Sequence, residues 1–284
     1  MKPPPFEFHR AHSALEASRL LAELGENAKL IAGGQSLVPM MNFRLAHPAA
    51  LVDINALSDL DYIRREGDVL AVGALTRHRT VETSRDAAVH DGFGVLPRAA
   101  RWIGHRPIRT RGTVGGSLAH ADGAAEWCML ARLFDAQIRL LSTRGERLAS
   151  IDTWFQGFLG NDAEPDEVVT EVRFRRPRAF GALSEFAQRA GDFAAAAAAV
   201  AFDLEQGRVT RLGLVLGGVS TEPLLVEEAA ELADGESPSD SLFRRVAEVA
   251  VAAADTDTYR RHLISTLVQR ALREALAAEE TSRG

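Results

Sequence analysis

Two glycine pairs constrain this chain more than any other feature: Gly33-Gly34, within Ala32-Gly33-Gly34-Gln35-Ser36-Leu37, and Gly115-Gly116, within Thr113-Val114-Gly115-Gly116-Ser117. The first pair follows the strand-like run Lys29-Leu30-Ile31 and precedes a helix-like segment from Ser36 towards Phe43. Without side chains, backbone N–H groups at such a turn approach an anion closely, and phosphate suits the geometry. Taken alone, each pair reads as an ordinary turn. Taken together, two such loops are able to clamp one diphosphate, with the Thr113 and Ser117 hydroxyls as added donors. Neither loop is a P-loop, because Gln35-Ser36 stands where the lysine belongs. Gly92-Phe93-Gly94-Val95-Leu96-Pro97 lacks the last glycine of a dinucleotide fingerprint.

The surrounding pattern divides the chain into three units. Residues 1–55 read as a small βαβ unit: strands at 6–8, 29–31 and 51–54, and a helix opened by a Ser13/Glu16 capping box and closed by Gly25. Residues 56–178 read as a larger α+β unit. Its strands fall near 62–64, 69–72, 138–141, 147–150 and 168–174, with helices from Val81, over 95–103, and after Asp122 as N-cap. Arg175-Arg176-Pro177-Arg178 reads as a linker. Residues 179–284 then predict a hairpin, 194–204 and 209–216, under amphipathic helices at 224–233, 241–254 and 258–278.

A net charge of -6 gives no general attraction to nucleic acid or an anionic membrane. The single cysteine, Cys128, supplies neither an internal disulfide nor the ligand set of a structural zinc or a typical iron-sulfur cluster, so no metal site is expected on this chain. Met1-Lys2-Pro3-Pro4-Pro5 lacks a secretory apolar stretch, and the longest apolar run, Phe193 to Phe202, is about half a membrane span. A cytoplasmic protein without an integral membrane segment is expected.

Behind the second loop, His120, Asp122 and Glu126 form a polar cluster whose carboxylates suit ribose or ribityl hydroxyls. Asp122 reads equally as a helix cap and as a ligand contact, and His120 as a structural histidine. Arg106, Arg109 and Arg111 read either as a solvated basic face or as a dock for an acidic partner. Trp102, Trp127 and Trp154 read as core. Arg189-Ala190-Gly191-Asp192-Phe193 by itself reads as a turn, and no catalytic constellation is present.

The segments Ala32 to Met41 and Arg111 to Asp122, followed by Glu185-Phe186-Ala187-Gln188-Arg189-Ala190-Gly191-Asp192-Phe193-Ala194, resemble the medium, FAD-binding subunit of the molybdenum hydroxylases over essentially the whole chain. That family includes xanthine dehydrogenase and aerobic carbon monoxide dehydrogenase. The resemblance implies an α+β, two-subdomain FAD fold of the PCMH type plus a C-terminal domain of a small antiparallel sheet and helices. It implies that Ala32, Gly33, Gly34, Gln35, Ser36 and Leu37 contact FAD together with Thr113, Val114, Gly115, Gly116 and Ser117, with His120, Asp122 and Glu126 further along the motif. Arg189, Asp192 and Phe193 would lie near the isoalloxazine. It further implies a small iron-sulfur subunit and a large molybdopterin-binding subunit, assembled as a dimer of heterotrimers. FAD would collect electrons from the iron-sulfur subunit and pass them to an external acceptor. The hydroxylated substrate would be an N-heterocycle, another aromatic or aldehyde, or carbon monoxide.

Two positions depart from the family pattern. Gln35 replaces the histidine of carbon monoxide dehydrogenases, which disfavours carbon monoxide. Gly123 stands where an Asp-Pro pair is common, which predicts a looser turn. The alternatives are a stand-alone flavin oxidase or reductase and a non-catalytic nucleotide-binding module.

Overall fold

The computed structural model describes residues 2–283, with side chains described through residue 278. Among these residues the chain forms three sheets. The first is parallel, in the order β1-β3-β2, and is built from β1 (Glu7–Arg10), α1 (Ala14–Leu24), β2 (Ala28–Ile31), α2 (Leu37–Asn42) and β3 (Ala50–Asp53). At the start of α1, Ser13 Oγ accepts the N–H of Glu16 at 3.1 Å. The Glu16 carboxylate reaches back to the N–H of His12 at 2.7 Å, one residue earlier than in the standard capping box. Ala14, Ala17 and Leu21 then pack on Ala28, Val52 and Ile54.

The second unit contains β4 (Ile63–Glu66), β5 (Val69–Gly73), α3 (His78–Glu82), α4 (Ala87–Phe93), α5 (Val95–Ala99), α6 (Arg106–Arg109), α7 (Val114–His120), α8 (Glu126–Leu133), β6 (Gln137–Ser142), β7 (Gly145–Ser150), α9 (Ile151–Trp154) and β8 (Val168–Phe174). Its five strands pair antiparallel in the order β4-β5-β8-β6-β7. Trp127 and Trp154 are fully buried in its core, as expected, whereas Trp102 is 46% exposed. The helix after the second loop starts at Ala125 rather than Asp122. Asp122 instead caps its own turn, accepting the N–H of Ala124 at 2.8 Å.

The third unit runs β9 (Phe180–Phe186), β10 (Ala196–Glu205), β11 (Arg208–Gly217), β12 (Leu224–Leu225), α10 (Glu227–Ala233), α11 (Asp240–Ala253) and α12 (Thr258–Arg283). Its antiparallel sheet has the order β12-β11-β10-β9. The hairpin β10–β11 matches the sequence reading, but β9 is a strand that the reading lacked. Both faces of this sheet are covered. Phe180, Ala198, Val200 and Phe202 pack under α11 and α12, while Leu183, Ala197, Ala199 and Ala201 join the core of the second unit. Strands buried on both faces lose the alternation that marks a half-exposed strand. Among the described residues no helix is long and apolar enough to cross a membrane.

Candidate functional site: a cleft between two glycine loops

The two glycine loops face one another across a cleft of about 430 Å³ between the parallel sheet and the α+β unit. Ala32 to Leu37 line one side; Gly112, Thr113, Gly115, Gly116, Ser117 and His120 line the other. The loops touch at their base, where a β-carbon on Gly33 would lie 2.2 Å from the Arg111 carbonyl oxygen. Gly34 has φ 71°, the left-handed region that glycine tolerates. Gly116 lies inside α7 and has no positive φ.

The two loops differ sharply in their backbone donors. In the first, the N–H groups of Gly34, Gln35, Ser36 and Leu37 make no hydrogen bond within the described residues. Such a row of free amides forms an anion-binding concavity. In the second, every amide from Val114 to Ser117 is engaged: Val114 with Thr76 O, Gly115 with Ala74 O, Gly116 with Thr113 Oγ1 and Ser117 with Thr113 O. The Thr113 hydroxyl accepts as an N-cap, at 3.1 Å from the Gly116 nitrogen, and keeps its own O–H to donate. The Ser117 hydroxyl makes no bond within the described residues.

A strut that the sequence reading missed spans the loops. Arg77 donates to the Arg111 carbonyl and, at 3.0 Å, to Asn55 Oδ1. Asn55 Nδ2 in turn donates at 2.7 Å to both the Ala32 carbonyl and Asp53 Oδ1. Burial lowers the Arg77 pKa, and the Arg111 charge adds to this effect. The signal available in sequence was Asp53-Ile54-Asn55 at the end of a strand, an Asx pattern that caps its own backbone.

Other expected residues separate. Burial pushes the His120 imidazole below its usual range, against the pull of the Asp122 carboxylate. Val114 is wholly buried beneath the loop, and Asp122 and Glu126 stand outside the cleft lining. Burial, reinforced by the Asp122 charge, pushes the Glu126 carboxyl up to about 7. Arg189, Asp192 and Phe193 also lie outside the lining, in a turn whose Gly191 packs against the His105 ring; Phe193 is 61% exposed. Arg106 and Arg111 are exposed, but Arg109 belongs to no solvated face. It bonds Glu82 at 2.8 Å and the carbonyls of Arg101, Ile103 and Gly104, thereby bracing the approach to the second loop. Gly123 is tight rather than loose, since a β-carbon there would lie 2.6 Å from the Thr221 carbonyl oxygen.

Free amides and a left-handed glycine opposite a rigid helix start suit a diphosphate, and the comparisons agree on which one. Residues 4–177 match the model of the FAD binding domain in molybdopterin dehydrogenase, and residues 181–275 that of the CO dehydrogenase flavoprotein C-terminal domain. The chain is 40% identical to the 6-hydroxypseudooxynicotine dehydrogenase complex subunit alpha of Paenarthrobacter nicotinovorans, over 97% of this chain and 96% of that one. Among solved structures it superposes on a chain of the carbon monoxide dehydrogenase of Hydrogenophaga pseudoflava with a TM-score of 0.91 at 32% identity, covering 98% and 99% of the two chains. It superposes equally on a chain of the quinoline 2-oxidoreductase of Pseudomonas putida 86, with a TM-score of 0.90 at 31% identity and the same coverage. By sequence, fold and the build of its cleft, this chain belongs to the FAD-binding medium subunits of the molybdenum hydroxylases.

Proposed function

We propose that this chain is the electron-transfer station of a three-component hydroxylase, taking electrons from a small iron-sulfur subunit and passing them to an external acceptor. A large molybdopterin-binding subunit carries out the hydroxylation, and the complex works in the cytoplasm as a dimer of heterotrimers. The observation that carries the reading is the row of free amides from Gly34 to Leu37 facing the rigid second loop. In this reading Ala32 to Leu37 hold the diphosphate, and Thr113 to Ser117 form the opposing wall. His120 contributes from the same wall, while Asp122, Glu126 and the turn carrying Arg189, Asp192 and Phe193 serve the flavin end. Bound FAD supplies the redox chemistry; the chain binds, orients and shields it. The lone, fully buried Cys128 supports placing the clusters on a partner. The names of the nicotine-derivative and quinoline relatives, with Gln35 in the first loop, support an N-heterocyclic substrate.

The test is purification with and without co-expressed partners. The chain should carry flavin absorbing at roughly 400–500 nm and co-purify with a four-cysteine iron-sulfur protein. It should hydroxylate nothing by itself; turnover of a small substrate by the isolated chain would instead establish a self-sufficient flavoenzyme.

A further inference from the structure

His78, at the start of α3, is only 4% exposed and borders the cleft beneath the second loop. The Trp127 indole N–H donates to its Nδ1 over 2.9 Å. An indole nitrogen only donates, so Nδ1 is the bare nitrogen and the ring's single proton sits on Nε2. The Nε2 edge lies where a side chain at Gly112 would be; a β-carbon there would stand 2.5 Å from it. Nε2 has no hydrogen-bond partner among the described residues, yet it is not one of the sealed, unpartnered atoms of the interior. The charges acting on the ring are Arg77, adjacent in the chain, and Arg109 from α6; Glu82 of α3 is held by Arg79 and Arg109. Burial, aided by the two arginines, lowers the imidazole to about 3, so the ring stays uncharged at any physiological pH.

The second loop has used its own amides internally, which leaves this wall of the cleft to side-chain donors such as the Thr113 and Ser117 hydroxyls. We propose that His78 is a cofactor-positioning residue, whose fixed, uncharged Nε2–H donates to a phosphoryl or ribityl oxygen of FAD. Trp127 is the residue that fixes its tautomer. This inference rests on the FAD reading above. It gives a partner to the one ring nitrogen that the chain itself leaves unbonded.

The experiment uses the full chain stripped of flavin and titrated with FAD, alongside H78M and H78Q, with thermal melting of each apo chain as the folding control. Met fills the space without a donor, whereas Gln keeps a donor beside an acceptor. H78M should bind FAD about tenfold more weakly, and H78Q should stay within about threefold of wild type. In wild type, nitrogen NMR should show the Nε2–H tautomer between about pH 6 and 8, with the Nε2 signal shifting when FAD binds. If H78M does not fold, that shift decides the matter. H78M binding as tightly as wild type, or an unmoved Nε2 signal in a chain that does bind flavin, overturns the role of His78 alone. A wild-type chain that takes up no flavin overturns the FAD reading and this role with it.

Discussion

A β-carbon added at Gly33 would meet the Arg111 backbone at 2.2 Å, and backbone does not swing aside; one added at Gly34 would meet a Val38 methyl at 3.1 Å, at φ 71°. The two adjacent glycines therefore have different reasons to be glycine. Gly33→Ala should force the loops apart, lowering both flavin content and melting temperature. Gly34→Ala should cost about 1 kcal/mol of backbone strain and weaken flavin binding more than folding. Flavin-to-protein ratio and thermal denaturation separate the two. Glu185 has an unpartnered, fully buried oxygen, and burial plus the Glu126 charge raises its carboxyl to about 8 from an ordinary 4.5. With Glu126 raised to about 7, these two carboxyls hold more protons in the folded chain than in the unfolded chain across this interval, while the lowered His78 and His120 act in the opposite direction below their ordinary 6.5. The contribution of the two carboxyls to stability therefore falls as pH rises from about 4.5 through 8. Glu185→Gln should raise the melting temperature at about pH 8.5 by a few degrees and leave it nearly unchanged near pH 4.5. Glycine positions were legible in the sequence because glycine is itself the signal. The conformation behind each was not, because close approach and positive φ call for the same residue.

Among the elements, the first loop and α7 respond to a ligand differently. Amides that already bond within the chain exchange slowly, while free ones exchange quickly. In hydrogen–deuterium exchange, residues 34–37 should go from fast to protected when FAD binds, and residues 114–117 should be protected before and after. Equal protection of both loops in the apo chain would contradict the hydrogen-bond pattern. The sequence marked both loops and most strands, since short apolar runs between turn residues are a local signal. It missed β9, whose two faces are both buried, and it missed the Arg77–Asn55 strut, which joins residues 22 positions apart. It also assigned Asp122 to a helix cap that Ala125 occupies, because an Asx turn and an N-cap use the same side-chain acceptor. Arg109 reads, like Arg106 and Arg111, as a solvated face or a partner dock for a related reason: nothing in the basic run from Arg101 to Arg111 distinguishes the guanidinium that folds inward.

At the scale of the whole molecule, the C-terminal sheet reaches back to the cleft. The loop before β12 presses the Thr221 carbonyl against Gly123, just past α7. From the same loop, Glu222 Oε1 accepts the N–H of Gly157 at 2.8 Å, next to the segment whose Leu159 lines the cleft. Glu222→Ala should lower flavin affinity a few-fold with little change in melting temperature, as read by FAD titration and thermal denaturation; an equal loss of both would make Glu222 a structural residue only. This long-range contact was invisible in the sequence, where Gly123 looked like the weakening of a familiar turn. The same contact limits what can be exchanged between relatives. A C-terminal domain grafted from a medium subunit with a bulkier residue at position 123 would arrive with a loop shaped for a different neighbour. Gly123 and the Thr221-Glu222 backbone are thus matched across two domains, and chimeras must transplant them together.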